Sequence, residues 1–207
     1  MIKNIVFDLG GVIMDINRES AVKRFEELGI TNAEELLDKY HQKGIFLEVE
    51  DGRIDADGFC RKLSELANRE LSFEDAKYGW LGFITGVPLY RLHYMEELRK
   101  KYNLYLLSNT NPFIMSWARS KDFNSEGKPL DYYFDKLYLS YQVGVVKPDK
   151  GIFDYLIKDA SINPAESVFV DDGSANIKMG KELGFEVMQP INGEDWRGRL
   201  DEILLTI

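Results

Sequence analysis

The sequence predicts an α/β fold, a mostly parallel sheet flanked by helices, with an all-helical domain inserted after the first strand. Three observations carry this expectation. The chain opens on a short apolar run, Ile2 to Phe7, that ends in a polar loop, Asp8-Leu-Gly-Gly. Further runs of that kind, over residues 103–188, alternate with stretches of helical periodicity, the signature of right-handed βαβ units. Between them lies a block of about 70 residues whose apolar positions recur only at helical spacing.

In chain order, the first run is short, β-rich and cut off by Asp8, as a strand reaching the carboxyl edge of a sheet would be. From Asn17 to about Tyr102 the pattern reads as helical throughout. Ala21, Val22, Phe25 and Leu28 form one stripe, and Phe59, Leu63 and Leu66 another. Thr31-x-x-Glu34 has the form of a capping box and Ser72-x-x-Asp75 that of a weaker relative. Pro88 suits the first turn of a helix carrying Leu92, Met95 and Leu98. Asn103 to Leu107 and Leu137 to Leu139 read as strands, followed by a helix over Lys150 to Ala160. Ser167 to Val170 is a further strand, and the helix after it closes at Gly184, a C-cap residue. Phe185 to Met188 gives the last strand. The expected division is residues 1–15 and 87–207 as the α/β core and 16–86 as the inserted helical cap.

Composition narrows the function classes. The chain has 207 residues, 44% hydrophobic and 29% charged, which is enough for a core without disulfides. No run reaches the 18 apolar residues of a membrane span, and no signal peptide is read at the start. The lone Cys60 fits a reducing, cytoplasmic setting. The net charge of −9, with no basic run, argues against nucleic-acid and membrane partners. It leaves room for a small anionic substrate held by local cations.

The chemistry sits at the ends of the apolar runs: Asp8, Ser108, Lys147 after a short loop, and the pair Asp171-Asp172. Open α/β sheets bind ligands outside the carboxyl ends of their strands. The sequence thus sends three carboxylates, a hydroxyl and an ammonium to one crevice. Such a set suits phosphoryl transfer onto an aspartate, with one carboxylate attacking, others holding Mg²⁺, and Ser and Lys binding phosphoryl oxygens. The carboxylates need the metal, since otherwise they would repel each other and a phosphate dianion. Oxygen ligands without clustered His or Cys favour Mg²⁺ over zinc.

This order resembles the haloacid dehalogenase-like (HAD) hydrolase superfamily. Phe-Asp8-Leu-Gly-Gly-Val is similar to its first motif, Leu-Leu-Ser108-Asn-Thr to its second, Val-Lys147-Pro to its third, and Phe-Val-Asp171-Asp172-Gly-Ser-Ala-Asn176 to its fourth. The resemblance implies a Rossmann-like core with a helical cap between the first two motifs. It makes Asp8 the nucleophile and a metal ligand, with the Gly10 carbonyl also facing the metal. Asp172 would be the second protein ligand, with Asp171 as a ligand or just behind it, and Ser108, Asn109 and Lys147 would hold the phosphoryl group. One position departs from the family pattern. Typical phosphatases of the family carry an acid–base Asp two residues after the nucleophile, where this chain has Gly10. Positioned acid–base groups contribute typically about 10²–10⁴-fold, so the loss favours substrates with good leaving groups. Ser108-Asn-Thr-Asn, Tyr138-Leu-Ser and the Glu50-Asp51-Gly52 loop further resemble the α-D-glucose-1-phosphatase branch, which has Gly at the same place.

The expected function is therefore a Mg²⁺-dependent phosphatase acting on a small phosphorylated metabolite, a sugar phosphate such as a hexose 1-phosphate, as a monomer or homodimer. Two readings compete. One is a phosphate-binding or regulatory module that lost turnover with its acid, and the other is a haloacid dehalogenase, against which the Asp171-Asp172 pair stands. Among single residues, Asp15 could replace the missing acid, although a turn or cap role is the plainer reading. His41 could face substrate from a cap loop, while His93 reads as an ordinary helix residue. Trp80 and Phe83 read as cap core, as does Cys60, and Trp117 as core in preference to a sugar pocket. Asn176 is placed evenly between the helix surface and orienting the carboxylate pair.

Overall fold

The structure, a computed structural model, describes residues 1–38 and 41–206. The chain begins with β1 (Asn4–Phe7), all four residues buried, and a short β2 (Asp15–Ile16). Helices α1 (Arg18–Glu27), α2 (Ala33–Leu36), α3 (Ile45–Glu50), α4 (Ala56–Ala67) and α5 (Phe73–Trp80) follow, and then β3 (Ile84–Gly86). Helix α6 (Leu89–Leu98) leads to β4 (Asn103–Ser108), α7 (Pro112–Ala118), β5 (Lys136–Leu139) and α8 (Ser140–Val143). The remainder is α9 (Lys150–Asp159), β6 (Ser167–Val170), α10 (Ser174–Glu182), β7 (Glu186–Met188) and α11 (Arg197–Thr206).

The main sheet has the order β5-β4-β1-β6-β7, and every pairing in it is parallel. β1 is central, and the connections run outward from it on both sides. Its carboxyl end is therefore the point where the strand order reverses, and a crevice opens there. The register sets Phe7 opposite both Leu106 and Val170, which brings the residues following all three strands to one edge. Asp8 extends the ladder by one bond, its N–H donating to the Val170 carbonyl at 2.8 Å.

The sequence expectation of unbroken helix from Asn17 to Tyr102 fails at β3. Asp15 pairs with Gly86 and Ile16 with Ile84 in an antiparallel ribbon. The chain enters and leaves the helical block side by side, and two residues on each side are enough to satisfy the backbone groups there. Helical periodicity could not register so short an interruption.

The capping expectations exchange places. Ser72 and Asp75 form the full reciprocal box at the start of α5, with each side chain accepting from the other's backbone N–H. Thr31 forms none: α2 starts from Asn32, without a side-chain cap, and lasts four residues. Leu66 is also displaced from its predicted stripe and lies on the exposed side of α4. The other stripe residues, Ala21, Val22, Phe25, Leu28, Phe59 and Leu63, are buried.

The helical block has an aromatic centre. Phe25, Phe46, Phe59 and Trp80 meet largely edge to face, with centroids 4.9–6.0 Å apart. Phe113 at the start of α7 continues this cluster, 5.2 Å from Phe59 and 4.7 Å from Phe73, so the helical block packs on the sheet-bearing part of the chain through buried aromatic area. Among the described residues no helix is long and apolar enough to cross a membrane.

Candidate active site

Four segments converge at the carboxyl edge of the sheet. Asp8 follows β1, Ser108 ends β4, Asp171 and Asp172 follow β6, and Lys147 arrives on the loop between α8 and α9. The structure brings all of these predicted residues together. Lys147 is 1% exposed, with its Nζ 2.8 Å from Asp8 Oδ1 and 2.6 Å from Asp171 Oδ2. Burial alone would lower the pKa of this ammonium, but the Asp171 and Asp8 carboxylates outweigh it and hold the pKa above the ordinary lysine value. Asp8 shows the converse balance. Burial pushes its carboxyl up, Lys147 opposes, and the neighbouring Asp171 and Asp172 charges add to the rise.

Each supporting group is itself fixed. The Asn109 side chain clamps Lys147 by both ends, accepting from the Lys147 N–H at 2.7 Å and donating to its carbonyl at 2.9 Å. Its amide is thus committed to the lysine backbone. Ser108 is buried and lines the pocket. Asp171 is wholly buried and firmly held: Oδ1 accepts from Gly173 N at 2.7 Å and Asn176 Nδ2 at 2.9 Å, and Oδ2 accepts from Lys147. Of the two roles open to Asn176, the structure displays the orienting one. Asp172, unlike Asp171, lines the pocket.

The donor set suits a hard divalent cation. One oxygen from each of Asp8, Asp171 and Asp172 lies within 4.8 Å of the others. The loop after β1 is shaped to approach this cluster. Gly11 has φ +74°, and a Cβ there would fall 2.4 Å from Asp172 Oδ2. Only glycine lets the backbone come so near that carboxylate. Gly10 differs, since a Cβ there would meet nothing closer than Ile16 Cγ2 at 3.4 Å, an ordinary contact. The missing acid is therefore no steric necessity. The side chain of Ile16 occupies the neighbourhood where it would stand.

Above the carboxylates, the helical block closes the pocket with Gln42, Glu50, Trp80 and Phe83, while Met14 and Ile16 from the loop and strand after β1, and Thr110 and Ile114 from β4–α7, complete its walls. Trp80 and Phe83 are buried within the helical block and also line the pocket, their rings stacked 5.9 Å apart. The Trp80 Nε1 and Thr110 Oγ1 atoms of two pocket-lining residues are buried without a protein partner. Several weighed residues stand elsewhere. Asp15 is bound to Arg91 at 2.7 Å and is no part of the pocket wall. His41 is exposed, and its neighbour Gln42 lines the pocket instead. His93 pairs with Glu126 on the surface. Trp117 packs on Phe123 and donates to the Asp122 carbonyl, away from the pocket. Cys60 is half-buried on α4.

From the sequence, Glu50 enters only as part of the Glu50-Asp51-Gly52 loop, with no chemical role. It lies at the end of α3, 6% exposed, and burial pushes its carboxyl up to about 8, with Asp51 and Asp8 adding to the rise and Asn111 opposing it. The missed signal was an acidic residue at a buried position of the helix Ile45–Glu50, beside Phe46 and Val49. A carboxyl with a raised pKa holds its proton in the folded chain while the unfolded chain, with the ordinary value of 4.5, has lost it. The stability this contributes is fully present below pH 4.5 and is lost as pH rises to about 8. Glu50→Gln is accordingly expected to flatten the fall in stability over that window and to be the more stable protein at alkaline pH, by up to about 4–5 kcal/mol. Denaturant midpoints measured across the window in chelator test this, and a variant that follows the parent's slope would contradict it.

Relatives match nearly the whole chain in sequence and in fold. A family model described as haloacid dehalogenase-like hydrolase matches residues 2–184. A D-ribitol-5-phosphate phosphatase of Bacteroides thetaiotaomicron is 59% identical over 204 residues, covering 99% of each chain. A HAD-like hydrolase structure from Porphyromonas gingivalis superposes with a TM-score of 0.94 at 41% identity, covering 99% of this chain and 98% of that one. A HAD family enzyme of B. thetaiotaomicron, solved with magnesium and inorganic phosphate, gives 0.90 at 36% identity, with 97% and 99% covered.

Proposed function

The chain belongs to the haloacid dehalogenase-like hydrolase family, and from that premise we propose that it is a Mg²⁺-using phosphatase of a small polyol or sugar phosphate, with a pentitol 5-phosphate as its substrate. The observation that carries the chemistry is the Lys147 ammonium set between Asp8 and Asp171, in a crevice where three carboxylate oxygens lie within 4.8 Å of one another. The relative named for D-ribitol 5-phosphate favours a phosphorylated polyol over the hexose 1-phosphate expected from the sequence. The pocket agrees in kind. Its apolar walls with a few buried polar groups suit a short hydroxylated carbon chain.

In the proposed reaction Asp8 attacks phosphorus and the alcohol leaves. Water then displaces the phosphoryl group from Asp8. Lys147 neutralises Asp8 and places a cation beside the transferring oxygens, while Asn109 fixes the lysine backbone and the Ser108 hydroxyl donates to a phosphoryl oxygen. Asp8, Asp172 and the Gly10 carbonyl would hold Mg²⁺, with Asp171 orienting Lys147 from behind or serving as a further ligand. When bound, the ion offsets the carboxylate charge and stabilises the charge on the phosphoryl oxygens. We also assign residues 1–15 and 87–207 to a catalytic core and 16–86 to a specificity cap, because the β2–β3 ribbon joins them at those boundaries. A cytoplasmic setting is part of the same proposal.

Phosphate release over a panel of pentitol 5-phosphates, hexose 1-phosphates, an aryl phosphate and inorganic phosphate donors, with Mg²⁺ and with chelator, tests this reading. The expected result is Mg²⁺-dependent release, fastest on the pentitol esters. No release from any ester, with phosphate merely bound, would support a binding module, and halide release from a 2-haloacid would support a dehalogenase. Either would contradict the proposal.

A further inference from the structure

A pentitol 5-phosphate sets this site a problem that an anomeric phosphate would not. Its leaving group is a primary alkoxide, a strong base that departs slowly unless protonated as the P–O bond breaks. Position 10 carries no side chain to supply the proton. Among the described residues, the ionisable groups lining the pocket are Asp8, Glu50, Lys147 and Asp172. Asp8 is the nucleophile of the proposed reaction and Asp172 belongs to the carboxylate cluster. Lys147 is held between two carboxylates. Asp15, the nearest acid in the sequence, is tied to Arg91.

Among the described residues, Glu50 alone approaches from the side of the helical block. It ends α3, and the next turn is pressed against the core, where a Cβ on Gly52 would fall 2.5 Å from the Tyr141 carbonyl. The carboxyl is therefore carried by a seated part of the cap and not by a loose loop. Its core-side neighbour is Asn111. The Asn111 Oδ1 is committed to capping α7, accepting from Phe113 N and Ile114 N at 3.1 Å each. That fixes the amide plane, and the Asn111 side chain, hydrogen-bonded to Glu50, is the one contribution that opposes the rise in its pKa. The charged groups acting on Glu50 are Asp51 on its own loop and Asp8 across the pocket, both negative. They favour a carboxyl that keeps its proton, as a donor must.

We propose that Glu50, supplied by the cap, is the general acid that this chain uses in place of the missing side chain at Gly10. As Asp8 Oδ bonds to phosphorus and the ester P–O bond breaks, the Glu50 proton passes to the departing alkoxide oxygen, releasing neutral alcohol and leaving the Glu50 carboxylate. Water then attacks phosphorus, the P–O bond to Asp8 breaks, and the proton lost by that water restores Glu50. Inorganic phosphate leaves and the site is unchanged. The inference rests on the phosphatase reading above.

The test is single-turnover release of the leaving group, with excess enzyme and Mg²⁺, from two esters: ribitol 5-phosphate and an aryl phosphate with an acidic phenol. A phenolate of that kind needs no proton to leave. Glu50→Gln is expected to slow ribitol release by about 10²–10⁴-fold while phenol release stays within about threefold. Glu50→Asp, an acid on a shorter arm, should recover part of the ribitol rate, and it carries the same contrast if the Gln variant does not fold. Equal losses on both esters would show a structural part and overturn the proposal, as would a change confined to KM for ribitol 5-phosphate, which would mark a hydroxyl contact. Unchanged ribitol release would overturn it while leaving the phosphatase standing. A parent protein silent on both esters would overturn the underlying reading as well.

Discussion

Asp8→Asn is expected to lose turnover by about 10⁴-fold or more while keeping its fold. The amide is nearly isosteric with the carboxylate, so the site keeps its shape, but it cannot attack phosphorus. The charge balance explains why the fold survives. Three carboxylates share the crevice with one ammonium, and burial together with Asp171 and Asp172 already raises the cost of ionising Asp8. Neutralising it removes repulsion and leaves Lys147 with Asp171 at 2.6 Å. The thermal midpoint in chelator should therefore be no lower than the parent's. Residual turnover near the parent level, with the substitution verified, would remove Asp8 from the mechanism.

Lys147→Ala should damage both activity and stability. The side chain is 1% exposed and its ammonium is the one cation among the described residues lining the pocket. Taking away one partner of a buried charge cluster strands the others, a change that typically costs about 3–5 kcal/mol. Asp171 would keep its bonds from Gly173 N and Asn176, and Asp8 would lose its close cation. Loss of a preorganised charge at a transferring group typically costs about 10²–10³-fold in kcat. Mg²⁺ at the carboxylates can replace part of the missing charge, so the expected signature is a lowered unfolding midpoint in chelator, a larger stabilisation by Mg²⁺ than in the parent, and low kcat at saturating metal. A variant with the parent's stability in chelator would contradict the placement of the ammonium between the two acids.

The sequence revealed the α/β core and the chemistry-bearing strand ends for a physical reason. Parallel strands buried on both faces read as apolar runs, and the polar residues that interrupt them mark the sheet edge. β6 spans Ser167–Val170 as expected, and Asp171 and Asp172 follow it directly. Short-range devices were less legible. A two-residue strand pair leaves no periodicity, and one box pattern closed at Ser72 while another failed at Thr31 because α2 is too short to reward it. The cap's contribution to the pocket was hidden for another reason. Glu50 and Gln42 reach the pocket only once α3 and its preceding turn are seated on the core, and no spacing within the chain connects them to Asp8. The hexose 1-phosphate expectation rests on the same gap: Gly10 points to an easy leaving group only as long as no proton donor is supplied from outside its own loop, and a residue 40 positions away, such as Glu50, leaves no mark near Gly10 in the sequence.

The most direct test of the central claim is acid-quenched capture of the covalent intermediate. The enzyme is mixed with Mg²⁺ and substrate carrying labelled phosphate, quenched within a single turnover, and digested. The label is expected on the peptide containing Asp8, stable to acid, released by hydroxylamine as an acyl phosphate should be, and absent from Asp8→Asn. Turnover of the same substrate with no covalent label at any quench time, or with label on another residue, would contradict phosphoryl transfer to Asp8.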